Sequence, residues 1–141
     1  MKFIKTKIKD LQTIMKIIGE AQKFLASHKI DQWQNGYPNE EAIIKDITNN
    51  ESYIITSIDS ILIGTAMFST KKEPTYKSIE GKWITKSDAI YGVIHRMAVT
   101  NEFRIKEKST RIVNEFKINM DSINIITIAN LVPIKGIEVL I

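Results

Sequence analysis

Apolar positions recur along this chain with two different periods, and the places where the period changes mark its elements. Residues 2 to 8, KFIKTKI, alternate loosely, which suits a short strand with one wet face. From Asp10 the spacing lengthens. Leu11, Ile14, Ile18, Ala21 and Leu25 fall on one helical stripe, widened by Met15, Ile17 and Phe24. His28 stands at the end of that helix, where it can cap. Pro38-Asn39-Glu40-Glu41 reads as a second helix start, with Asn39 as the cap and two acids in the first turn. Its inward positions are Ala42, Ile43, Ile44 and Ile47. SYIITSI (52–58) and ILIGTAMFS (61–69) are strands, joined by Asp59-Ser60 into a hairpin. A polar loop over 70–88 leads to a third strong strand, AIYGVIHRMAVT. The segment KSTRIVNEFKINM is then an amphipathic helix, SINIITI (122–128) a strand, and Val132 to Leu140 a short apolar helix with Pro133 in its first turn.

The order is thus βααββ followed by βαβα. The hairpin requires antiparallel pairing, and the last βαβ unit requires a parallel pair with a right-handed crossover. Both together predict an α/β protein with a mixed central sheet flanked by helices, as one domain over residues 1–141. Composition narrows the chemistry. There is no cysteine, which excludes disulfides, a thiolate nucleophile and a Cys-ligated zinc site. The two histidines and the acids have no metal-site spacing, so no metal is expected. No apolar run reaches the length of a membrane span, and the basic N-terminus is followed by no signal-peptide core. Neither a membrane partner nor export is expected, and a cytoplasmic location is the default. The net charge of +4 is spread along the chain without a stripe of Lys, Arg and aromatics, so no nucleic-acid partner is expected either.

Particular words of the sequence then resemble a known family. DQWQNGYP (31–38) after the first helix, EPTY (73–76), EGKW (80–83) and above all IHRMAVTNEFR (94–104) are similar to a bacterial branch of the GNAT superfamily of N-acetyltransferases. The resemblance runs from about residue 3 to residue 103. It implies a GNAT-like fold and an acetyl-CoA-dependent transfer of an acetyl group to a primary amine of a small molecule or peptide. It also implies that the pantetheine arm of acetyl-CoA runs beside the fourth strand, at Met97, Ala98 and Val99, and that the turn from Arg104 through Ile105, Lys106, Glu107, Lys108 and Ser109 to Thr110 meets its phosphates. Beyond Arg104 this chain departs from the family. Where the family's turn carries glycines for close approach to pyrophosphate, Glu107 and Ser109 stand, and Glu107 adds an anion. The usual Thr-His-x-Asp-Asn-x-Pro-Met is reduced to Thr127 and Pro133, no tyrosine follows Tyr91, and the sequence ends at Ile141 without the usual C-terminal strand pair. These departures support an alternative reading, a degenerate GNAT fold serving as a binding or scaffold module. They also make SINIITI an expected open edge, which predicts a homodimer.

Acetyl transfer to an amine needs a route for the amine proton and a donor for the charge that develops on the thioester oxygen. His95 is the one neutral-range base on the fourth strand and the catalytic candidate; a packed, hydrogen-bonded core histidine is the alternative. Simple alternation puts His95 on one face with Tyr91, Val93, Met97 and Val99, and Arg96 on the other. Arg96 could hold a substrate carboxylate or pair with Glu102. Trp33, Tyr37, Tyr76, Trp83 and Tyr91 are candidate walls for the amine substrate, through contact area and cation–π attraction, with core packing the alternative for some of them.

Overall fold

The computed structural model describes residues 1–72, 91–106 and 124–127, with the backbone alone for Ile105, Lys106 and residues 124–127. The expected helices over 108–120 and 132–140, the loop words EPTY and EGKW, and the turn residues Glu107, Lys108, Ser109 and Thr110 lie outside the described residues.

Strand β1 (Lys2–Lys5) is followed by helix α1 (Leu11–Ser27), helix α2 (Glu40–Thr48), strands β2 (Ser52–Thr56), β3 (Leu62–Ser69) and β4 (Tyr91–Val99), helix α3 (Asn101–Lys106) and strand β5 (Asn124–Thr127). The strands form one sheet in the order β1-β2-β3-β4-β5. The first four pair antiparallel and β5 joins β4 in parallel, so the mixed sheet expected from the sequence is present. β1 is shorter than its alternation suggests. Asp10 accepts the Lys7 N–H at 2.9 Å, which turns the chain into a 3-10 turn at Ile8–Asp10 and leaves Ile8 exposed.

Both long helices form for the reasons their spacing gives, and both end without glycine. On α1 the stripe Leu11, Ile14, Ile17 and Ile18 is buried. Its end is a Schellman arrangement: Ile30 N–H reaches the Leu25 carbonyl at 3.0 Å and Lys29 N–H reaches Ala26 at 2.9 Å. Lys29 takes the left-handed position, with φ of 57°. His28 caps as expected, its ring Nδ1 lying 2.9 Å from the Phe24 carbonyl. On α2 the Asn39 side chain accepts the Ala42 N–H at 3.0 Å. The far end repeats the arrangement, with Glu51 N–H on the Asp46 carbonyl at 2.8 Å and Asn50 left-handed. The inward face of α2 differs from the one expected. Ile44 is 40% exposed, while Asp46 is only 4% exposed. Ile43 and Asp46 share the stripe that meets the sheet, and Ile44 is rotated off it by one position.

Each sheet face carries a core. Tyr53, Ile55, Ile63, Ala66, Phe68, Ile94 and Val99 cluster on one, with Phe3, Met97 and Phe103 beside them. On the other, Ala98, Ile54 and Leu62 meet Leu11, Ile14, Ile17, Ile18 and Ile43 of the helices. Burial of a side chain such as Ile14 or Ile55 contributes about 1.5–3 kcal/mol each. Among the described residues, no helix is long and apolar enough to cross a membrane.

Candidate active site

Two β-bulges shape the sheet where the candidate chemistry sits. On β3, Ile55 pairs with Gly64 and Thr56 with Leu62, so Ile63 is an inserted residue. On β4, Thr65 pairs with Ala98 and Met67 with His95, so Arg96 and Met97 together face the single Ala66. Arg96 adopts the left-handed conformation, φ 48°, that an inserted residue needs here. Its cost for a non-glycine residue is about 1–2 kcal/mol.

This insertion inverts the side-chain alternation of β4. Ile94 and Val99 lie in the same core cluster although they are five residues apart. Met97 and Val99 therefore belong to that face, and Ala98 to the helix face. His95 pairs with Met67 two positions from the Thr65–Ala98 pair, which puts it on the helix face too. The expectation that His95 shares a face with Met97 and Val99 is thus corrected. Strict alternation fails because the chain gains a residue between them.

Arg96 also departs from expectation. Its Nε donates to Asp46 Oδ2 at 2.6 Å and a terminal nitrogen donates to Oδ1 at 2.7 Å, a two-pronged bond from β4 to α2. The remaining terminal nitrogen donates to the Tyr37 hydroxyl. The guanidinium goes to Asp46 rather than Glu102, and turns toward the helices like His95 instead of away from it. Asp46 is the site residue that sequence reasoning missed. The readable signal was a carboxylate three residues after Ile43, on the inward stripe of α2. Burial pushes the Asp46 carboxyl above its ordinary value, and the Arg96 bonds and charge oppose this without cancelling it; the nearby His95 charge acts in the same direction as Arg96. Burial works against the charge on Arg96, but the bond and charge of Asp46 outweigh it and raise its value.

Tyr37 is held in place from its own loop. Gly36 supplies a φ of 81°, Asn35 Oδ1 accepts the Tyr37 N–H at 3.3 Å, and Gln22 of α1 donates to the Tyr37 carbonyl at 3.4 Å. Gln34 adds a bond to the Gln22 carbonyl at 3.1 Å, and Pro38 is buried. The segment QWQNGYP is thereby tied to α1, with Tyr37 left exposed. Trp33 of the same segment packs half-buried against the helix-side core, with φ of 66°. Tyr91 is half-buried at the start of β4, and Tyr76 and Trp83 lie outside the described residues.

Arg104 of α3 lies with its guanidinium carbon 4.0 Å from the Phe24 ring centroid and bonds the Asn101 side chain. Asn101 N–H meets Glu20 at 3.1 Å, so α3 docks on the second half of α1. Burial lowers the Arg104 value, and Glu20 works against that. Ile105 and Lys106 continue the same helix. On the other edge of β4, pairing with β5 runs from Tyr91 to Ile94, opposite Thr127. Among the described residues, the backbone of β4 from Arg96 to Val99 has no strand on that side. Among them, too, no group of three or more acids and histidines is arranged to hold a metal.

The architecture is that of known acetyltransferases. A GNAT-family acetyltransferase from Streptococcus agalactiae is 32% identical, with a TM-score of 0.66, over 73% of this chain and 60% of that one. The chain therefore spans 60% of the length of that relative. A GNAT-family acetyltransferase from Listeria monocytogenes shares the fold at a TM-score of 0.64, with 14% identity over 86% of this chain and 72% of its own. No family model matches the sequence. No curated protein does so either.

Proposed function

On the premise that the chain belongs by fold to the GNAT superfamily of acetyltransferases, we propose that it moves an acetyl group from acetyl-CoA to a primary amine of a small molecule or peptide. The observation that carries this reading is the β4 edge. Beyond His95, the bulged strand presents backbone groups that no described strand takes up. An extended pantetheine arm fits such an edge by β-type pairing at Met97, Ala98 and Val99. Backbone N–H groups there suit the oxyanion of a tetrahedral intermediate.

In this reading His95 takes the proton of the acceptor ammonium, and Asp46, whose charge reaches His95, stabilises the imidazolium that results. The neutral amine adds to the thioester carbonyl carbon. The intermediate collapses by breaking the carbon–sulfur bond, and the departing thiolate takes up the proton that the attacking nitrogen loses, leaving an amide and free CoA. Arg104, Ile105 and Lys106 at the end of α3, and Lys108, Ser109 and Thr110 after them in the sequence, are assigned to the phosphates through cationic side chains and backbone N–H groups; Glu107 opposes them. Trp33, Tyr37, Tyr76, Trp83 and Tyr91 are assigned to the acceptor side. The test is thermal melting with and without acetyl-CoA, followed by thiol release with amines present. A ligand that binds only the folded state adds about 2.7 kcal/mol of stability at a hundredfold excess over its Kd. A raised melting temperature and amine-dependent thiol release are expected. No shift at millimolar acetyl-CoA would favour the non-catalytic GNAT module instead.

A further inference from the structure

The Asp46–Arg96–Tyr37 chain points to a property of the acceptor. Three of the five Arg96 N–H groups are engaged within the protein, two by Asp46 and one by Tyr37. An arginine can only donate. Its bond to Tyr37 therefore occupies a lone pair of the phenol oxygen and leaves the phenol's own proton for another acceptor. Among the described residues, none takes that proton. The residue is 41% exposed, yet its backbone is fixed by Gly36, Asn35, Gln22 and the buried Pro38. A donor that is exposed, fixed in position and polarised by a cation behind it is a recognition group. Asp46 cancels the Arg96 charge, so an approaching ammonium is not repelled. Arg96 also follows His95 directly on β4, and the Asp46 that it binds lies within electrostatic reach of His95, so the phenol belongs to the same cluster as the proposed base.

We propose that Tyr37 is a specificity residue of the acceptor site, donating its O–H to a carbonyl or carboxylate oxygen carried on the carbon next to the reacting amine. Asp46 and Arg96 are the positioning residues that aim it. The acceptors selected are amino acids, their amides and peptide N-termini rather than plain alkylamines. This rests on the acetyltransferase reading above.

Leucinamide and 3-methylbutylamine differ only in the carboxamide beside the amine, and their binding to the full chain can be measured by titration calorimetry. The unaltered protein is expected to bind leucinamide at least about tenfold tighter, the worth of one good hydrogen bond. Tyr37→Phe, at an exposed ring, should erase that preference. Asp46→Asn should weaken it, since the aim of the phenol then loosens. Equal affinities in the unaltered protein, no saturable binding of either amine, or a preference that survives Tyr37→Phe would each overturn the proposal. A preference untouched by Asp46→Asn would overturn the positioning role. The acetyltransferase reading fails separately, as the absence of any acetyl-CoA effect on melting.

Discussion

Arg96 carries three burdens at once: a left-handed backbone, a half-buried charge, and a two-pronged link between the β4 bulge and α2. The link matters because Asp46 is almost fully enclosed. Removing one partner of such a pair costs about 3–5 kcal/mol, since the other charge stays buried and unpaired. Arg96→Met is thus expected to destabilise the protein by about that much at neutral pH. The effect should depend on pH with a definite sign. Burial raises the Asp46 carboxyl, with the Glu51 charge acting the same way, and Arg96 and His95 pull it down. Without Arg96 it rises further. A carboxyl raised on folding favours the folded state below its unfolded value and loses that contribution as pH climbs through the folded one. The penalty of Arg96→Met should therefore shrink as the pH is lowered toward 4, about the ordinary carboxylate range. Urea unfolding at several pH values reads this directly. A penalty independent of pH would mean that Asp46 is not the group left stranded.

At the scale of elements, the sequence was legible wherever local periodicity set the outcome. The stripe of α1, the Asn39 cap and the β2–β3 hairpin all follow from spacing and turn chemistry. Three features were not legible, each for a physical reason. A bulge adds a residue without changing the apolar character of a strand, so Ile63 and Arg96 look like ordinary strand positions. The Asp46–Arg96 pair spans fifty residues, and no local rule couples such positions. Lys29 and Asn50 end their helices in a conformation usually signalled by glycine. Gly64 likewise carries no local signal within the strand ILIGTAMFS. Between the two bulges it faces Val99 so closely that a Cβ would lie 2.6 Å from the Ala98 carbonyl oxygen. That neighbour is backbone and cannot rotate aside. Gly64→Ala is expected to cost about 1–3 kcal/mol, like other overpacked positions. Chemical denaturation would show it as a lower midpoint at unchanged slope, and an unaltered midpoint would mean the strands separate freely there.

Across the whole molecule, Glu51 joins the end of α2 to β3 through both its backbone and its side chain. It closes α2 by donating its N–H to the Asp46 carbonyl, and its own carbonyl accepts the Phe68 N–H of β3 at 2.8 Å. Its carboxylate accepts from Ser69 at 2.7 Å and meets Lys71 at 2.9 Å. Lys71 is 67% exposed, so solvent screens most of that ion pair, and the Ser69 bond dominates. The two carboxylates that join helices to sheet behave oppositely. Asp46 is raised by burial. For Glu51, burial acts upward too, but the bonds from Ser69 and Lys71 outweigh it and bring it below its ordinary 4.5. A carboxyl lowered on folding contributes stability above its unfolded value and loses it as pH falls through the folded one. Glu51→Gln keeps the shape but removes the charge. Its cost should be on the order of 1 kcal/mol at neutral pH, the net worth of a hydrogen bond to a charged group less what the amide retains. That cost should stay constant down to about pH 5 and close at lower pH, as the native carboxyl itself becomes protonated. Melting temperatures of the two proteins from pH 7 to pH 3 measure the gap. A gap that widens in acid would show that Glu51, like Asp46, is held against its charge rather than by it.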